Sequence, residues 1–201
     1  MIAVIDYDAG NIKSVIKALE FLGEEVVLTR DRDVILNADK AILPGVGCFK
    51  DAMDNLNKYG LCEVIKEFVD SKKPFLGICL GLQLLFEESE ESPGVKGLSV
   101  LKGKCRLIPS NSDLKVPQIG WNSLDFPRKT RLFKGINPGS YVYFVHSYYL
   151  TCEDEADVAA TTEYGVHIHA AVERDNVYAC QFHPEKSSEV GLTILKNFAS
   201  L

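Results

Sequence analysis

The sequence lacks the features of several protein classes. No apolar run approaches the ~20 residues that a membrane-spanning helix needs, and the N-terminus has neither the basic start nor the cleavage site of a signal peptide. No block of Lys and Arg appears, and the net charge of −6 is opposite to that of a nucleic-acid-binding surface. We therefore expect a cytoplasmic protein that binds neither membrane nor nucleic acid.

Metal-binding and phosphate-binding motifs are also missing. The six cysteines are widely spaced and none forms Cys-x-x-Cys, so we expect no structural zinc site and mostly reduced, packed thiols. Neither Gly-x-x-x-x-Gly-Lys-[Ser/Thr] nor Gly-x-Gly-x-x-Gly after the first strand occurs. His167 and His169 could hold a metal across one strand face, but no third ligand has motif spacing. We expect no metal and no cofactor.

The first half of the chain alternates short apolar runs with helical spacing. With 201 residues, 46% of them apolar, the composition fits one domain over residues 1–201 with a substantial core. Strand–helix alternation of this kind predicts an α/β fold with a mostly parallel sheet flanked by helices. The predicted strands are 2–5, 25–28, 40–43 and 74–78, and the predicted helices are 12–22, 51–56, 62–71 and 80–88.

The second half has a different pattern. Apolar and polar residues alternate in the predicted strands 140–150, 167–173 and 177–182, which indicates an antiparallel extension of the sheet. Residues 189–200 form a predicted last helix. The acidic run 87–91 is typical of a solvated face.

A candidate nucleophile stands between a predicted buried strand and a helix. The segment Gly77-Ile-Cys-Leu-Gly81 has the form Gly-x-nucleophile-x-Gly, in which a tight turn needs small residues on both sides. The helix N-terminus would favour the thiolate of Cys79, and the Leu80 amide would point toward the oxyanion formed on attack. The alternative is a buried structural cysteine at a strand end, which is the interpretation given to the other five cysteines.

A candidate base follows about a hundred residues later, in Gln181-Phe-His-Pro-Glu185. A cysteine nucleophile needs a base, and the base needs an acceptor that fixes its tautomer. His183 and Glu185 are two apart in an extended segment and can face the same side. The alternatives are a surface ion pair of these two residues and a rival base, His146, which is itself more typical of a satisfied core histidine.

The segment Pro44-Gly-Val-Gly47 closes the third predicted strand. Glycines let the backbone turn an amide toward a bound anion, so this loop is a second source of an oxyanion donor. The alternative is a plain turn that ends the strand.

Together these segments resemble the class I (triad) glutamine amidotransferases, and among them the glutaminase subunits of imidazole glycerol phosphate synthase. The resemblance covers essentially the whole chain. One departure is Gln118, because related subunits often have His at that position. The resemblance rests on residues 8–11, 43–49, 77–83, 117–122, 143–148 and 181–187.

The resemblance implies a flavodoxin-like fold, with Cys79 as nucleophile, His183 as base and Glu185 as the residue that orients the base. Glutamine would be hydrolysed through a thioester to glutamate and ammonia. The oxyanion donors would be the amides of Leu80 and of the Val46–Gly47 loop. The substrate would be held by Gln83 and by backbone around Gly47, Ser147 and Tyr148.

The resemblance also implies a heterodimer with a (β/α)₈-barrel cyclase subunit. Ammonia would pass to that subunit, which makes imidazole glycerol phosphate and an aminoimidazole carboxamide ribonucleotide in histidine biosynthesis. Interface or gating positions would be Asn11, Trp121, Tyr143 and Lys186. For Trp121 the alternative is a half-buried core indole.

Two alternatives stay open. One is a glutaminase subunit of another pathway, such as pyridoxal phosphate synthesis; that family favours Gly-Gly-Glu-Ser where this chain has Gly45-Val-Gly-Cys48. The other is a non-catalytic flavodoxin-like binding protein, which would have no need of His183 and Glu185 behind the turn.

Overall fold

A computed structural model of the protein describes residues 1–110 and 114–201. The strands are β1 Ile2–Ile5, β2 Val26–Thr29, β3 Lys40–Leu43, β4 Phe75–Ile78, β5 Glu88–Ser89, β6 Gly103–Leu107, β7 Gln118–Ser123, β8 Tyr141–His146, β9 Tyr148–Cys152, β10 Val158–Glu163, β11 His167–Arg174 and β12 Val177–Cys180. The helices are α1 Ile12–Phe21, α2 Arg32–Asn37, α3 Phe49–Lys58, α4 Leu61–Asp70, α5 Leu80–Leu84 and α6 Ser188–Ala199, with 3₁₀ turns at Glu155–Asp157 and Pro184–Lys186.

A seven-stranded sheet with the order β10-β11-β12-β4-β3-β1-β2 forms the centre of the molecule. The strands β2, β1, β3, β4 and β12 run parallel, in the 2-1-3-4-5 order of flavodoxin-like folds. β11 pairs antiparallel with β12, and β10 antiparallel with β11. The predicted α/β fold, a mostly parallel sheet with an antiparallel extension, is confirmed.

Apolar residues on both faces of the parallel strands explain why helices cover both sides. All four residues of β1 are buried. Ala3 and Ile5 pack into the core beneath α2 to α5, whereas Ile2 and Val4 pack into the core beneath α1 and α6. Because successive side chains of a strand point to opposite faces, a continuous apolar strand requires this double cover.

Helix α1 shows how the sequence sets an element's end. Its buried residues repeat at helical spacing, and Gly23 follows with φ 85°. The Gly23 N–H donates to Glu20 O at 2.9 Å, and the Glu24 N–H donates to Leu19 O at 3.1 Å. This paired arrangement satisfies the last carbonyls of the helix and needs a left-handed residue, which glycine adopts at no steric cost. The predicted helix 12–22 is confirmed to within one residue.

The prediction of a helix over residues 80–88 is wrong beyond Leu84. The Leu84 carbonyl accepts from the Leu98 N–H at 2.8 Å, and the Leu85 carbonyl accepts from the Val100 N–H at 2.9 Å. These carbonyls are therefore engaged by a distant loop, and the chain continues into β5, which pairs with β6. The result is a helix of five residues.

Two strand predictions also need correction. The single predicted strand 140–150 is two strands that separate at Ser147; β8 pairs with β7 and β9 pairs with β6, both outside the main sheet. The third predicted strand of the extension, β12, is parallel to β4 and belongs to the parallel part of the sheet. Alternation of apolar and polar residues predicted the strands but carried no information about their partners.

The acidic run 87–91 is more than a solvated face. The side chains of Glu87, Glu90 and Glu91 accept from the backbone N–H groups of Gly103 at 3.1 Å, Leu107 at 2.9 Å and Phe49 at 2.7 Å. These carboxylates therefore connect the loop after α5 to neighbouring elements.

Within residues 1–110 and 114–201, no helix combines the length and apolarity needed to cross a membrane.

The direction of the parallel strands gathers several loops at one edge of the sheet. We call the loops that follow β1, β3, β4 and β12 the carboxyl edge, and the residues that precede these strands the amino edge. Ligands of open α/β sheets bind outside the carboxyl ends of the strands. The segments singled out in the sequence, 8–11, 44–47, 79–83 and 181–185, all lie at the carboxyl edge.

Candidate active site

Cys79 sits on a sharp turn between β4 and α5. Its backbone has φ 55° and ψ −108°, a conformation that costs free energy for any residue other than glycine. A Cβ on Gly77 would lie 2.8 Å from Gly81 O, and a Cβ on Gly81 would lie 1.9 Å from Leu43 O. Neither glycine could carry a side chain, which is the steric reason given for the Gly-x-Cys-x-Gly pattern.

The Cys79 side chain borders a cleft of about 290 Å³. This volume is at the small end of the range for ligand sites. The Sγ atom is 4.0 Å from Val145 O and 3.7 Å from Nε2 of Gln181. The other residues that line the cleft are Val46, Gly47, Leu80, Gln83, Glu91, Pro117, His146, Ser147 and Tyr148.

His183 and Glu185 form a buried pair directly after β12. The His183 Nδ1–H donates to Glu185 Oε1 at 2.8 Å, and the two side chains are only 1% and 0% exposed. The alternative of a surface ion pair is therefore wrong. The His183 backbone N–H donates to Tyr143 O at 2.9 Å, which fixes the ring's attachment to β8. With Nδ1 bound to the carboxylate, Nε2 is the nitrogen free for proton transfer.

The charge state of His183 follows from two opposing effects. Burial lowers the pKa of His183, but the Cys79 sulfur and the Glu185 carboxylate outweigh burial and raise the pKa to about 9. Nε2 is buried and has no hydrogen-bond partner among the described residues. At neutral pH the ring is therefore an imidazolium, and a cation beside a cysteine favours the nucleophilic thiolate.

Asn11 contacts the carboxylate of this pair. Its Nδ2 donates to Glu185 Oε1 at 2.8 Å, the same oxygen that accepts from His183. Glu185 Oε2 is buried and has no partner among the residues that the structure describes. Asn11 was predicted at an interface or gate, and the structure places its side chain against Glu185, the residue predicted to orient the base.

His146 has both ring nitrogens engaged. Nδ1 lies 2.8 Å from Tyr148 O, and Nε2 lies 2.9 Å from the side-chain amide of Gln118. A carbonyl only accepts, so Nδ1 carries the hydrogen. Burial lowers the pKa of His146 to about 4, so the ring is neutral at physiological pH. These contacts support the satisfied core histidine over the rival base.

The predicted oxyanion donors are not arranged to bind an anion. The Leu80 N–H donates to Gly45 O at 3.2 Å, so a loop carbonyl occupies the position that an oxyanion would take. Tyr7 Oη donates to Pro44 O at 2.7 Å, and a Cβ on Gly45 would lie 2.1 Å from that hydroxyl. Because Gly45 C=O and Val46 N–H belong to one peptide group, rotation of that group would replace the acceptor by a donor.

The predicted substrate-binding residues share the cleft with Cys79. Gln83 is buried, and its Nε2 donates to Tyr148 O at 3.2 Å and to Gln181 Oε1 at 3.0 Å. Both amide hydrogens are therefore used, and Oε1 is the atom left for a ligand. Val46, Gly47, Ser147 and Tyr148 line the same cleft.

Sequence reasoning missed three residues at this site. Glu91 lines the cleft at the end of the acidic run, where charge density alone indicated solvent. Tyr7 follows β1 and packs against the Pro44–Gly45 peptide, a contact that no motif signals. Gln181 opens the Gln-Phe-His-Pro-Glu segment but drew no attention because an amide neither titrates nor attacks.

The remaining predicted residues lie on the outer face of the β7–β8 hairpin or beside it. Trp121 is 51% exposed and makes an edge contact with Tyr143, at 6.1 Å between ring centroids. The indole is thus half-buried, as its alternative had it, but it belongs to none of the core clusters of the described residues. Ile119 and Tyr141 are also exposed on this face, and Lys186 is exposed in the 3₁₀ turn after His183. The hairpin thus presents an apolar patch to solvent next to the cleft.

The two strand histidines that could have held a metal make other contacts. His167 Nδ1 contacts the Glu163 carboxylate, and His169 Nδ1 accepts from the Cys152 N–H at 3.1 Å. Among the described residues, no three His, Cys, Asp or Glu side chains come together as a metal site.

Comparison with known proteins shows which family the chain resembles. The sequence profile of the class-I glutamine amidotransferases matches residues 3–200. A protein of Syntrophotalea carbinolica named imidazole glycerol phosphate synthase subunit HisH is 51% identical over all of both chains. Proteins of the same name from Caldanaerobacter subterraneus and Aquifex aeolicus are each 50% identical, over 100% and 97% of this chain and 98% and 94% of theirs.

Solved structures share the fold at lower identity. A crystal structure described as a glutamine amidotransferase is 20% identical with a TM-score of 0.75, over 98% of each chain. A chain in the structure of PurLQS from Thermotoga maritima is 21% identical with a TM-score of 0.75, over 99% of this chain and 97% of that one. At this identity the likeness extends to the fold alone.

Proposed function

The chain belongs to the class-I glutamine amidotransferase family, and we propose that Cys79, His183 and Glu185 are the triad that hydrolyses glutamine in the cleft. The protein is the glutamine amidotransferase subunit of an imidazole glycerol phosphate synthase. The observation that carries the triad is the buried His183–Glu185 pair, with a free Nε2, at the same sheet edge as Cys79.

Nucleophilic attack begins from the thiolate and the imidazolium. The sulfur bonds to the side-chain amide carbon of glutamine, and the carbonyl electrons move to oxygen. His183 then gives its proton from Nε2 to the amide nitrogen as the C–N bond breaks. Ammonia leaves and a glutamyl thioester remains on Cys79. Glu185 keeps the Nδ1 hydrogen in place and balances the imidazolium charge throughout.

The second half of the reaction uses the same groups. A water molecule loses a proton to Nε2 of His183 and attacks the thioester carbonyl. The C–S bond breaks, which restores the Cys79 thiolate beside the His183 imidazolium, and the new γ-carboxyl group loses its proton to solvent as glutamate leaves. Gln83 and Glu91 line the cleft, and the amide oxygen of one and the carboxylate of the other are acceptors suited to the α-ammonium of the substrate.

The oxyanion contacts need a change in the loop. With the Leu80 N–H bound to Gly45 O, neither this amide nor that of Val46 is available to the tetrahedral intermediate. Rotation of the Gly45–Val46 peptide would free the first amide and add the second. We infer that the partner subunit promotes this rotation, because hydrolysis without a waiting acceptor would waste glutamine and release ammonia to solution.

The partner we infer is a cyclase subunit with a (β/α)₈ barrel that receives the ammonia. The exposed aromatic face of the β7–β8 hairpin supports this inference. It continues to Val145, whose carbonyl is 4.0 Å from the Cys79 sulfur. A partner seated on Trp121 and Tyr143 would cover the mouth of the cleft where ammonia is produced, and Lys186 lies beside it.

The test is ammonia release from glutamine by three preparations. They are the purified chain, the chain with the cyclase subunit, and this complex with the cyclase's nucleotide ligand. We expect little release from the chain alone and a large rise in the loaded complex. Full activity in the chain alone would keep the triad and contradict gating by the partner. No release from any preparation would overturn the proposed function.

A further inference from the structure

We propose that Gln181 is a further catalytic residue, which donates a hydrogen bond from Nε2 to the Cys79 sulfur and stabilises its thiolate. The proposal deepens the proposed function, because it rests on Cys79 as the nucleophile. Gln181 is fully buried at the carboxyl end of β12, and its Nε2 is 3.7 Å from Sγ. This separation is within the range of hydrogen bonds to sulfur, whose radius exceeds that of oxygen.

Burial and backbone contacts hold Gln181 in place. Its backbone N–H donates to Ala170 O at 2.8 Å, which fixes the residue against β11. The preceding residue, Cys180, pairs through its carbonyl with the Cys79 N–H at 2.8 Å. Strands β4 and β12 are thus joined at the point where the two side chains meet, so the sheet brings Gln181 and Cys79 together.

Neighbouring acceptors decide which end of the amide faces the sulfur. Tyr148 O is a carbonyl and only accepts, so Gln83 must turn its Nε2 toward it. The second hydrogen of that group goes to Gln181 Oε1 at 3.0 Å. With its oxygen directed to Gln83, Gln181 has only its NH₂ group to present to Cys79. The hydrogen-bond network therefore assigns which end of the Gln181 side-chain amide is nitrogen and which is oxygen, without relying on the placement of those two atoms.

The Tyr148 carbonyl also connects this hydrogen-bond network to His146, another residue that lines the cleft. The His146 Nδ1–H also donates to Tyr148 O, and this second donor helps hold the carbonyl in place. The Gln83 NH₂ group therefore donates both to the Tyr148 carbonyl and to Gln181, and Gln181 donates in turn to the nucleophile. A chain of polarised hydrogen bonds in a low-dielectric site is stronger than its separate members.

A neutral N–H donor complements the imidazolium. His183 exchanges protons with the sulfur, whereas an amide does not titrate and stabilises only the charged form. The other close polar contact of Sγ is Val145 O, an acceptor that can interact only with the protonated thiol. Among the described residues, Gln181 therefore supplies the side-chain N–H that hydrogen-bonds to the thiolate. The same bond favours departure of the sulfur when the thioester is hydrolysed.

Two variants and a matched control test the proposal. Gln181→Met keeps the length and removes the donor. Gln181→Glu keeps an acceptor for Gln83 and places a carboxylate against the sulfur. The control is Asn176→Leu, which removes a buried amide at the amino end of the same strand. There Nδ2 of Asn176 donates to Val69 O and Lys73 O, both at 2.8 Å, far from Cys79.

The measurement is the rate of iodoacetamide alkylation of Cys79 against pH, read from the mass of the Cys79 peptide. The other cysteines then make no contribution. We expect the inflection for Gln181→Met to move up by about one pH unit, with alkylation about tenfold slower below it. Gln181→Glu should move the inflection further, and Asn176→Leu should reproduce the wild-type curve.

Curves for Gln181→Met and Gln181→Glu that superimpose on the wild type would overturn the proposal. Wild-type protein provides a second readout that requires no folded Gln181 variant. The side-chain amide resonances of Gln181 should shift as Cys79 titrates and lose that shift in Cys79→Ala; their failure to move in wild-type protein would also overturn it. Alkylation needs neither glutamine nor a partner, so this result is separate from the glutaminase test of the proposed function.

Discussion

The two ends of strand β12 contrast within one element. At the amino end, Asn176 is buried and its side-chain NH₂ group donates to two backbone carbonyls. The backbone carbonyl of Asn176 accepts from the Phe75 N–H at 2.9 Å. At the carboxyl end, Gln181 meets a sulfur atom, and His183 Nε2 and Glu185 Oε2 are buried without partners among the described residues. The same strand thus ends in a satisfied network on one side and an incomplete one on the other.

This contrast distinguishes groups that stabilise the fold from groups kept for chemistry. A buried polar atom without a partner costs free energy, so its presence needs an explanation. The carboxyl edge also contains the left-handed Cys79 and the Leu80 amide bound by Gly45. At the carboxyl edge, polar groups are left unsatisfied where substrate is expected to complete the hydrogen bonds, whereas the buried amide of Asn176 at the amino edge is satisfied within the fold.

The largest effect should come from Cys79→Ala. Removing the thiolate removes the covalent step, so ammonia release in the loaded complex should fall by about 10⁴-fold or more. Cys62→Ala is the matched control, because Cys62 is partly exposed on α4 and should leave the rate unchanged. Partner binding by the Cys79 variant should stay intact, measured by calorimetry. Retained glutaminase activity would show that another residue is the nucleophile.

A smaller loss is expected from Glu185→Gln. The amide keeps the shape but loses the charge that supports the His183 imidazolium, while the nucleophile and the base remain. The loss in kcat/KM should be about 10²-fold smaller than for Cys79→Ala. Glu189→Gln, an exposed glutamate on α6, should match the wild type in the same assay. Equal losses for the Cys79 and Glu185 variants would contradict the division of roles.

Exposed aromatic residues extend the contrast to the surface. Trp121→Ala should weaken association with the cyclase subunit by about 30-fold, as expected for an interface anchor. The control is Phe21→Ala: Phe21 is 77% exposed at the end of α1, which lies toward the amino edge. Calorimetric titration of both variants compares the two edges directly. Unchanged affinity for Trp121→Ala would place the partner elsewhere.

Part of this organisation could be read from the sequence, because it depends on local spacing. The turn at Cys79 follows from two glycines, and the contact of His183 with Glu185 joins residues only two apart, although Glu185 lies in a 3₁₀ turn and not in the predicted extended segment. The parallel sheet followed from the alternation of apolar runs and helical stretches. In each case the sterics or periodicity act over a few residues.

Contacts between distant segments could not be read in that way. Asn11 meets Glu185 across 174 residues, and Gln181 meets Cys79 across 102. These pairs exist because β1, β4 and β12 end at the same edge, which is a property of strand order and not of any local pattern. The break at Ser147 was missed for the same reason, since the alternation of side chains continues through it while the pairing partner changes.

The smallest effect concerns the pH dependence of stability. The pKa of His183 is about 9 in the folded protein against an ordinary value of 6.5, so folding favours its protonated form. Its contribution is fully present below pH 6.5 and is lost as pH rises through 9, so the free energy of unfolding should fall over that interval. Cys79→Ala removes one of the two groups that raise this pKa, so the free energy of unfolding of this variant should decline less steeply with pH.

The control is Asn176→Leu. Its free energy of unfolding should be lower than that of the wild type by about 2 kcal/mol at every pH, because the lost hydrogen bonds involve no titrating group. The measurement is urea unfolding of the three proteins between pH 6 and 10. A change at the carboxyl edge should alter how steeply the free energy of unfolding depends on pH, whereas a change at the amino edge should lower it by a constant amount. Parallel curves for wild type and Cys79→Ala would mean that the sulfur does not support the imidazolium.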